Sequence, residues 1–248
     1  SHRYGSARSL ASGLERGYAT TSTDTGHEGG SASFALGHPE KVIDFGWRAV
    51  HEMTVTAKQV IAAFYGSGPE YSYWYGCSAG GRQAMMEAQR FPGDYDGIIA
   101  GAPGNDWTGR AAGSLRIANY LGAHEDAGLS AAKVELVRMA VLEACDAADG
   151  VIDKVVGDPE RCDFDPAVLQ CSGADNGSCL TAAQVHTVQM MYSSPENPKT
   201  GRAITGVLPG SETNWTNLGW TRSARGTGLD QYRYLVYADP EGPIDRFD

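Results

Sequence analysis

The stretch YWYGCSAGG, residues 73–81, places a serine among small residues at a point where the local pattern changes. The segment YSYWYGCS is aromatic, favours β structure and has glycines on both sides, which predicts a buried strand. A helix is predicted over residues 80–90, and YDGIIAGAP at 95–103 predicts another core strand that ends in a Pro-Gly turn. Ser78 therefore lies at a predicted strand-to-helix turn.

The residues before this turn extend the alternation of strand and helix. GYATTST at 17–23 predicts a strand, and residues 39–65 space apolar side chains at three and four, which predicts one long or two abutting helices. Strands and helices that alternate in this way are typical of a parallel sheet covered by helices. The sequence therefore predicts an α/β fold.

The pattern changes beyond residue 105, where strand signals stop and helices predominate. Residues 129–145 and 181–192 predict helices, with Ser130 and Thr181 as N-caps. We therefore expect two domains: residues 1–105, which contain the serine turn, and residues 106–248, a helical insertion stapled by disulfides.

Composition excludes several classes of partner. The 248 residues carry a formal net charge of -10, which argues against a nucleic-acid surface and against attraction to anionic membranes. No apolar run is long enough to span a bilayer. We expect a small-molecule partner, while the oligomeric state is not indicated by the sequence.

The cysteines indicate an oxidising compartment. Four of the five lie close together without C-x-x-C spacing, which is more typical of a disulfide framework than of a metal site. The protein is therefore expected to be secreted, to the extracellular space or the periplasm. Cys77 is left over.

Ser78 is predicted to be a nucleophile. GCSAG fits G-x-S-x-G and lies where that motif must lie, after a predicted strand and before a predicted helix. The backbone amide of Ala79 would then face the developing oxyanion, helped by the start of the helix dipole. The alternative interpretation is a glycine-rich turn with an idle serine.

A serine nucleophile needs a histidine base oriented by a carboxylate, and no histidine here is well placed. His124 and His186 follow the serine, but one precedes a helix and the other lies inside a helical pattern. His27 is better interpreted as a buried anchor in its own turn than as a base.

Several separated motifs resemble the tannase and feruloyl esterase family, which also contains mono(2-hydroxyethyl) terephthalate hydrolase. They are GYATTSTDTGHEGG, RAVHEMTVTAKQVIAAFYG, YGCSAGGRQAMMEAQRFPGDYDGIIAGAP and CDAADGVIDKVVGDPERCDFDP, and the resemblance covers nearly the whole chain. The resemblance implies an α/β-hydrolase core with a lid insertion. It also implies a serine esterase that hydrolyses feruloyl, galloyl or related aromatic-acid esters through an acyl-enzyme.

The resemblance places the nucleophile at Ser78 and pairs Cys77 with a cysteine that follows the catalytic histidine. No His-Cys dipeptide occurs in this sequence, and the glycine-rich oxyanion loop and the triad acid are not found either. We therefore expect the chain to be an internal portion of a longer enzyme. The alternative is a catalytically silent fragment or a calcium-stabilised module.

The turn DAADGVIDKV concentrates three carboxylates around a glycine, which suits either Ca²⁺ or a solvated acidic loop. The resemblance favours a structural Ca²⁺ in the lid. It implies side-chain ligands from three aspartates and carbonyl ligands from two valines: Asp146, Asp149, Asp153, Val151 and Val155. It also matches two disulfides, Cys145 with Cys162 around this turn and Cys171 with Cys179.

Overall fold

The computed structural model describes residues 7–197, 199–204, 206–215 and 225–242. These residues form two compact units: residues 7–107 with 233–241, and the described residues between 108 and 232 with residue 242. In chain order the helices and strands are α1 (Ala7–Glu15), α2 (Pro39–Ile43), α3 (Ala49–Tyr65), β1 (Tyr73–Cys77), α4 (Ala79–Arg90), β2 (Gly97–Gly101), α5 (Trp107–Ala123), α6 (Ala131–Cys145), α7 (Ala182–Tyr192) and α8 (Arg225–Asp230).

The predicted helix over residues 39–65 is confirmed as two α-helices joined without a break. Pro39 occupies the first turn of α2, where its missing N–H costs nothing. A π-helical turn, Asp44–Arg48, connects α2 to α3, and Arg48 bridges Asp44 and Glu40 at 2.6 Å each. Helix α3 ends at Gly66, whose φ of 82° is the left-handed conformation that glycine adopts readily.

Strands β1 and β2 form a parallel pair, and helix α4 connects them in the chain, as predicted. The register runs from Tyr73 opposite Gly97 to Cys77 opposite Gly101. Helix α4 connects the two strands in sequence and packs against both. This strand-helix-strand unit positions Ser78 at the carboxyl end of β1.

Two predictions for this unit are wrong. Residues 17–23 form no strand, because none of the described segments pairs with them. Strands β1 and β2 are not the buried core strands that were predicted: Tyr73 is 59% exposed, Tyr75 is 80% exposed and Ile99 is 60% exposed. Among the described residues the sheet has only two strands, and side chains of both strands are left exposed.

The second unit has a helical core, and both predicted helices are present with their caps. The Ser130 side chain accepts the Lys133 amide, and Thr181 forms a capping box with Gln184. Helix α5 was not among the predicted helices. The buried cluster joins all three helices: Ile117, Ala118, Leu129, Val134, Val137, Val141, Leu180, Val185, Val188, Met191 and Trp215.

Both expected disulfides are formed. Cys145 at the end of α6 is bonded to Cys162, and Cys171 is bonded to Cys179. The buried Lys133 ammonium donates to the Cys179 carbonyl and to the Asp175 carboxylate, the latter at 2.6 Å. This ion pair lowers the pKa of Asp175 and fixes the smaller disulfide loop against α6.

In the part of the chain that the structure describes, no helix is both long and apolar enough to cross a membrane.

Candidate functional site

Ser78 sits in a strained conformation between β1 and α4. Its φ of 59° and ψ of -114° lie outside the regions that non-glycine residues normally occupy. Its amide donates to the Gly101 carbonyl at 3.0 Å, and its carbonyl accepts from the amides of Arg82 at 3.0 Å and Gly104 at 3.2 Å. The surrounding backbone therefore holds the strain in place, and the serine itself is exposed.

Two glycines make this tight turn possible. A Cβ on Gly76 would overlap the Gly80 carbonyl group and lie 2.6 Å from the Trp74 indole nitrogen. A Cβ on Gly81 would overlap the Gly101 carbonyl oxygen and lie 2.7 Å from the Pro103 Cα. Since neither site has room for any side chain, the turn requires glycine at both.

The backbone amide of Ala79 lies at the start of α4, directly after Ser78. Ala79 is the first residue of α4, and the first amides of an α-helix have no partner within the helix. The helix dipole adds positive potential at this end. An oxygen that develops negative charge beside Ser78 would thus meet a donor and a favourable field.

The turn is supported by two aromatic contacts that the sequence did not single out. The Trp74 indole N–H donates to the Gly80 carbonyl at 3.0 Å, and the Arg82 guanidinium lies over the Phe45 ring at 4.7 Å from its centroid. Only the side-chain packing in the folded protein shows either role.

No histidine of the described residues is hydrogen-bonded to the Ser78 hydroxyl. His27 is half-buried, contacts Thr25 through Nδ1 and stacks on Phe34 at 4.0 Å, in keeping with an anchor in its turn. His124 and His186 are exposed in the second unit, where both rings contact Tyr120.

Cys77, directly before the serine, is a free and exposed thiol. Its pairing with a cysteine outside residues 1–248 stays a prediction.

The acidic turn is closed by hydrogen bonds from its own backbone. Asp146 is buried, and its carboxylate accepts the amides of Asp153 and Lys154 at 3.0 to 3.2 Å. The exposed Asp149 and Asp153 accept the amides of Val151 at 2.9 Å and Val155 at 3.0 Å. The disulfide between Cys145 and Cys162, named above, closes this segment.

The donor chemistry of the turn fits a hard cation. Asp149 and Asp153 each accept one amide and keep further lone pairs, whereas Asp146 Oδ1 accepts two amides. Ca²⁺ prefers carboxylate and carbonyl oxygens. Among the described residues, however, the three carboxylates are not one of the groups whose donor atoms all lie within 4.8 Å of one another. A bound ion would have to draw them together.

The family model for tannase and feruloyl esterase matches residues 1–231. The chain belongs to this family. Among curated proteins it is 46% identical over 199 residues to an uncharacterized esterase of Xanthomonas campestris, covering 79% of this chain and 34% of that protein. It is 35% identical over 225 residues to feruloyl esterase B of Aspergillus niger, covering 90% and 43% respectively.

Solved structures of the family share the fold. An esterase from Aspergillus oryzae superposes with a TM-score of 0.87 at 32% identity, over 97% of this chain and 48% of that one. A tannin acyl hydrolase from Aspergillus niger superposes with a TM-score of 0.76 at 23% identity, over 100% and 51%. The chain thus spans about half the length of these relatives or less.

The packing around the turn predicts opposite outcomes for two adjacent glycines. We expect Gly81→Ala to destabilise the fold by about 1 to 3 kcal/mol, because its methyl group must displace the backbone at Gly101 and Pro103. Gly80→Ala is the matched control. It lies in the same helix with nothing within 4 Å of its Cβ, and we expect a change from zero to a gain of about 1 kcal/mol.

Urea denaturation of both variants measures this difference. Equal stability of the two variants would contradict the close approach described here.

Proposed function

We propose that the protein containing this chain is a serine carboxylic-ester hydrolase with Ser78 as its nucleophile. The observation that supports this most strongly is the strained conformation of Ser78 at the end of β1, in a chain of the tannase and feruloyl esterase family. Strain of this kind is kept when the surrounding structure enforces it, and it occurs mainly at functional sites.

In the proposed reaction the Ser78 hydroxyl attacks the ester carbonyl while a histidine accepts its proton. The Ala79 amide stabilises the tetrahedral oxyanion, and the alcohol leaves with a proton from the same histidine. Water then attacks the acyl-enzyme and releases the acid. The histidine, its carboxylate and a second oxyanion donor would come from residues outside this chain, which covers only 43% of feruloyl esterase B.

The proposed substrates are esters of aromatic acids. This rests on the family, described as tannase and feruloyl esterase, and on the relative named feruloyl esterase B.

Secretion and a structural Ca²⁺ complete the proposal. The two disulfides favour an oxidising compartment. Residues 106–248 would be the lid, and its calcium would be held by the side chains of Asp146, Asp149 and Asp153 with the carbonyls of Val151 and Val155. The ion would neutralise the turn's acidic side chains and take no part in the hydrolysis.

Replacing the nucleophile tests the mechanism. In the whole protein, we expect Ser78→Ala to lower kcat on methyl ferulate, methyl gallate or a terephthalate monoester by on the order of 10⁴-fold or more, without loss of folded protein. Ser67→Ala, which removes an exposed serine from the loop before β1, is the matched control and should keep full activity. A wild-type rate in Ser78→Ala would rule out the mechanism.

Chelation tests the calcium site separately. At a Ca²⁺ concentration 100-fold above its Kd, binding should stabilise the protein by about 2.7 kcal/mol, which appears as a higher Tm than in EGTA. We expect Asp149→Ala to abolish this difference between the two conditions. Asp163→Ala, an exposed aspartate outside the turn, should preserve it. If calcium and EGTA give the same Tm for the wild type, the turn is a solvated acidic loop.

A further inference from the structure

A second group of metal-ligating side chains lies in the first unit, away from the acidic turn. His51 on α3, Glu87 on α4 and Asp94 in the turn before β2 place their donor atoms within 4.8 Å of one another. His51 Nδ1 and an Asp94 carboxylate oxygen are 2.6 Å apart. The sequence separations are too irregular to indicate this group, because only the packing of α3 against α4 creates it.

Glu87 is the unusual member of this group. Its side chain is fully buried, and no N–H or O–H group of the described residues donates to either carboxylate oxygen. A buried carboxylate without a donor is costly, and Asp94 adds a second negative charge nearby. His51 is paired with Asp94, and both carboxylate oxygens of Glu87 are left without a donor among the described residues.

The surroundings hold the group in place and leave one side accessible. The His51 ring stacks on Phe91 with centroids 3.9 Å apart, and the Lys58 ammonium donates to the Asp94 carbonyl at 2.6 Å. The side chains of His51 and Asp94 are 26% and 16% exposed, so this edge of the group faces solvent while Glu87 is buried.

We propose that His51, Glu87 and Asp94 bind a divalent transition-metal ion, with Zn²⁺ as the probe. One imidazole nitrogen and two carboxylate oxygens form a donor set that Zn²⁺ accepts, and its fourth ligand would be water. Two ligands at about 2.1 Å from a tetrahedral ion lie about 3.4 Å apart, so His51 and Asp94 would separate by under about 1 Å. The ion would supply a partner for the carboxylate oxygens of Glu87, which have no donor among the described residues.

The site would be structural and independent of the proposed hydrolysis. It would tie α3 to α4, the helix that begins directly after Ser78. It differs from the proposed calcium turn in its nitrogen ligand and in its place in the other unit. Zinc binding can therefore fail while the esterase mechanism stands, and the reverse also holds.

The test measures zinc in the whole protein after chelation and dialysis. The protein is incubated with ZnSO₄ and desalted, and its metal content gives the stoichiometry of zinc binding. A competition titration against a chromophoric chelator gives the affinity. We expect the wild type to retain one more Zn²⁺ per chain after desalting than Glu87→Gln and His51→Gln. In the competition titration, zinc should bind to this site at least about tenfold more weakly in both variants. His124→Gln, which removes an exposed histidine outside the group, should bind as the wild type does.

The melting temperature supplies a second readout that does not depend on activity. Zinc should raise the Tm of the wild type and of His124→Gln, and leave the Tm of Glu87→Gln and His51→Gln unchanged. Equal zinc content in all four proteins, or an equal rise of Tm in all four, would overturn the proposal. A wild-type Tm that zinc does not change would overturn it even if a variant failed to fold.

Discussion

The close approach of backbone segments around Ser78 is the constraint on which the first unit depends. The loop after β2 reaches α4 so closely that no Cβ fits at Gly81, and β1 meets the first turn of α4 in the same way at Gly76. Within these contacts Ser78 has a φ of 59°. The strand, the helix and the loop therefore pack closely around Ser78, which is exposed at the turn.

The two units achieve stability by different means. The second has a continuous apolar core, two capped helices and two disulfides. The first exposes large apolar side chains on β1, β2 and α3, such as Tyr75, Ile99 and Phe64. Exposed apolar surface on this scale is typical of a face that another part of a protein covers. Because the chain spans about half of its relatives, we expect such a covering element in the whole protein.

The sequence correctly predicted those helices, strands and turns that are determined by residues close together in the chain. The glycine-bounded aromatic run gave β1, Ser130 and Thr181 gave the starts of α6 and α7, and the serine turn followed from its motif. Residues 17–23 failed as a strand because strand formation needs a neighbour, which composition cannot supply. Helix α5 went unpredicted because glycines and alanines interrupt its apolar pattern.

The functional sites could be predicted only in part, because a sequence motif shows which residues are neighbours in the chain but not which residues meet in the fold. Ser78 and Ala79 are adjacent in a motif, so their roles could be inferred without a structure. The group of His51, Glu87 and Asp94 could not, because its members come from two helices and a turn and meet only through tertiary packing. The burial of Glu87 without a donor is visible only in the folded chain.

The most direct test of the central claim is to locate the serine that reacts covalently. A fluorophosphonate forms a bond from phosphorus to the oxygen of an activated serine and releases fluoride with the serine proton. Peptide mass spectrometry of the labelled whole protein should find the adduct on Ser78, with none in Ser78→Ala. An adduct on a different serine in a protein whose esterase activity is lost on labelling would contradict the account.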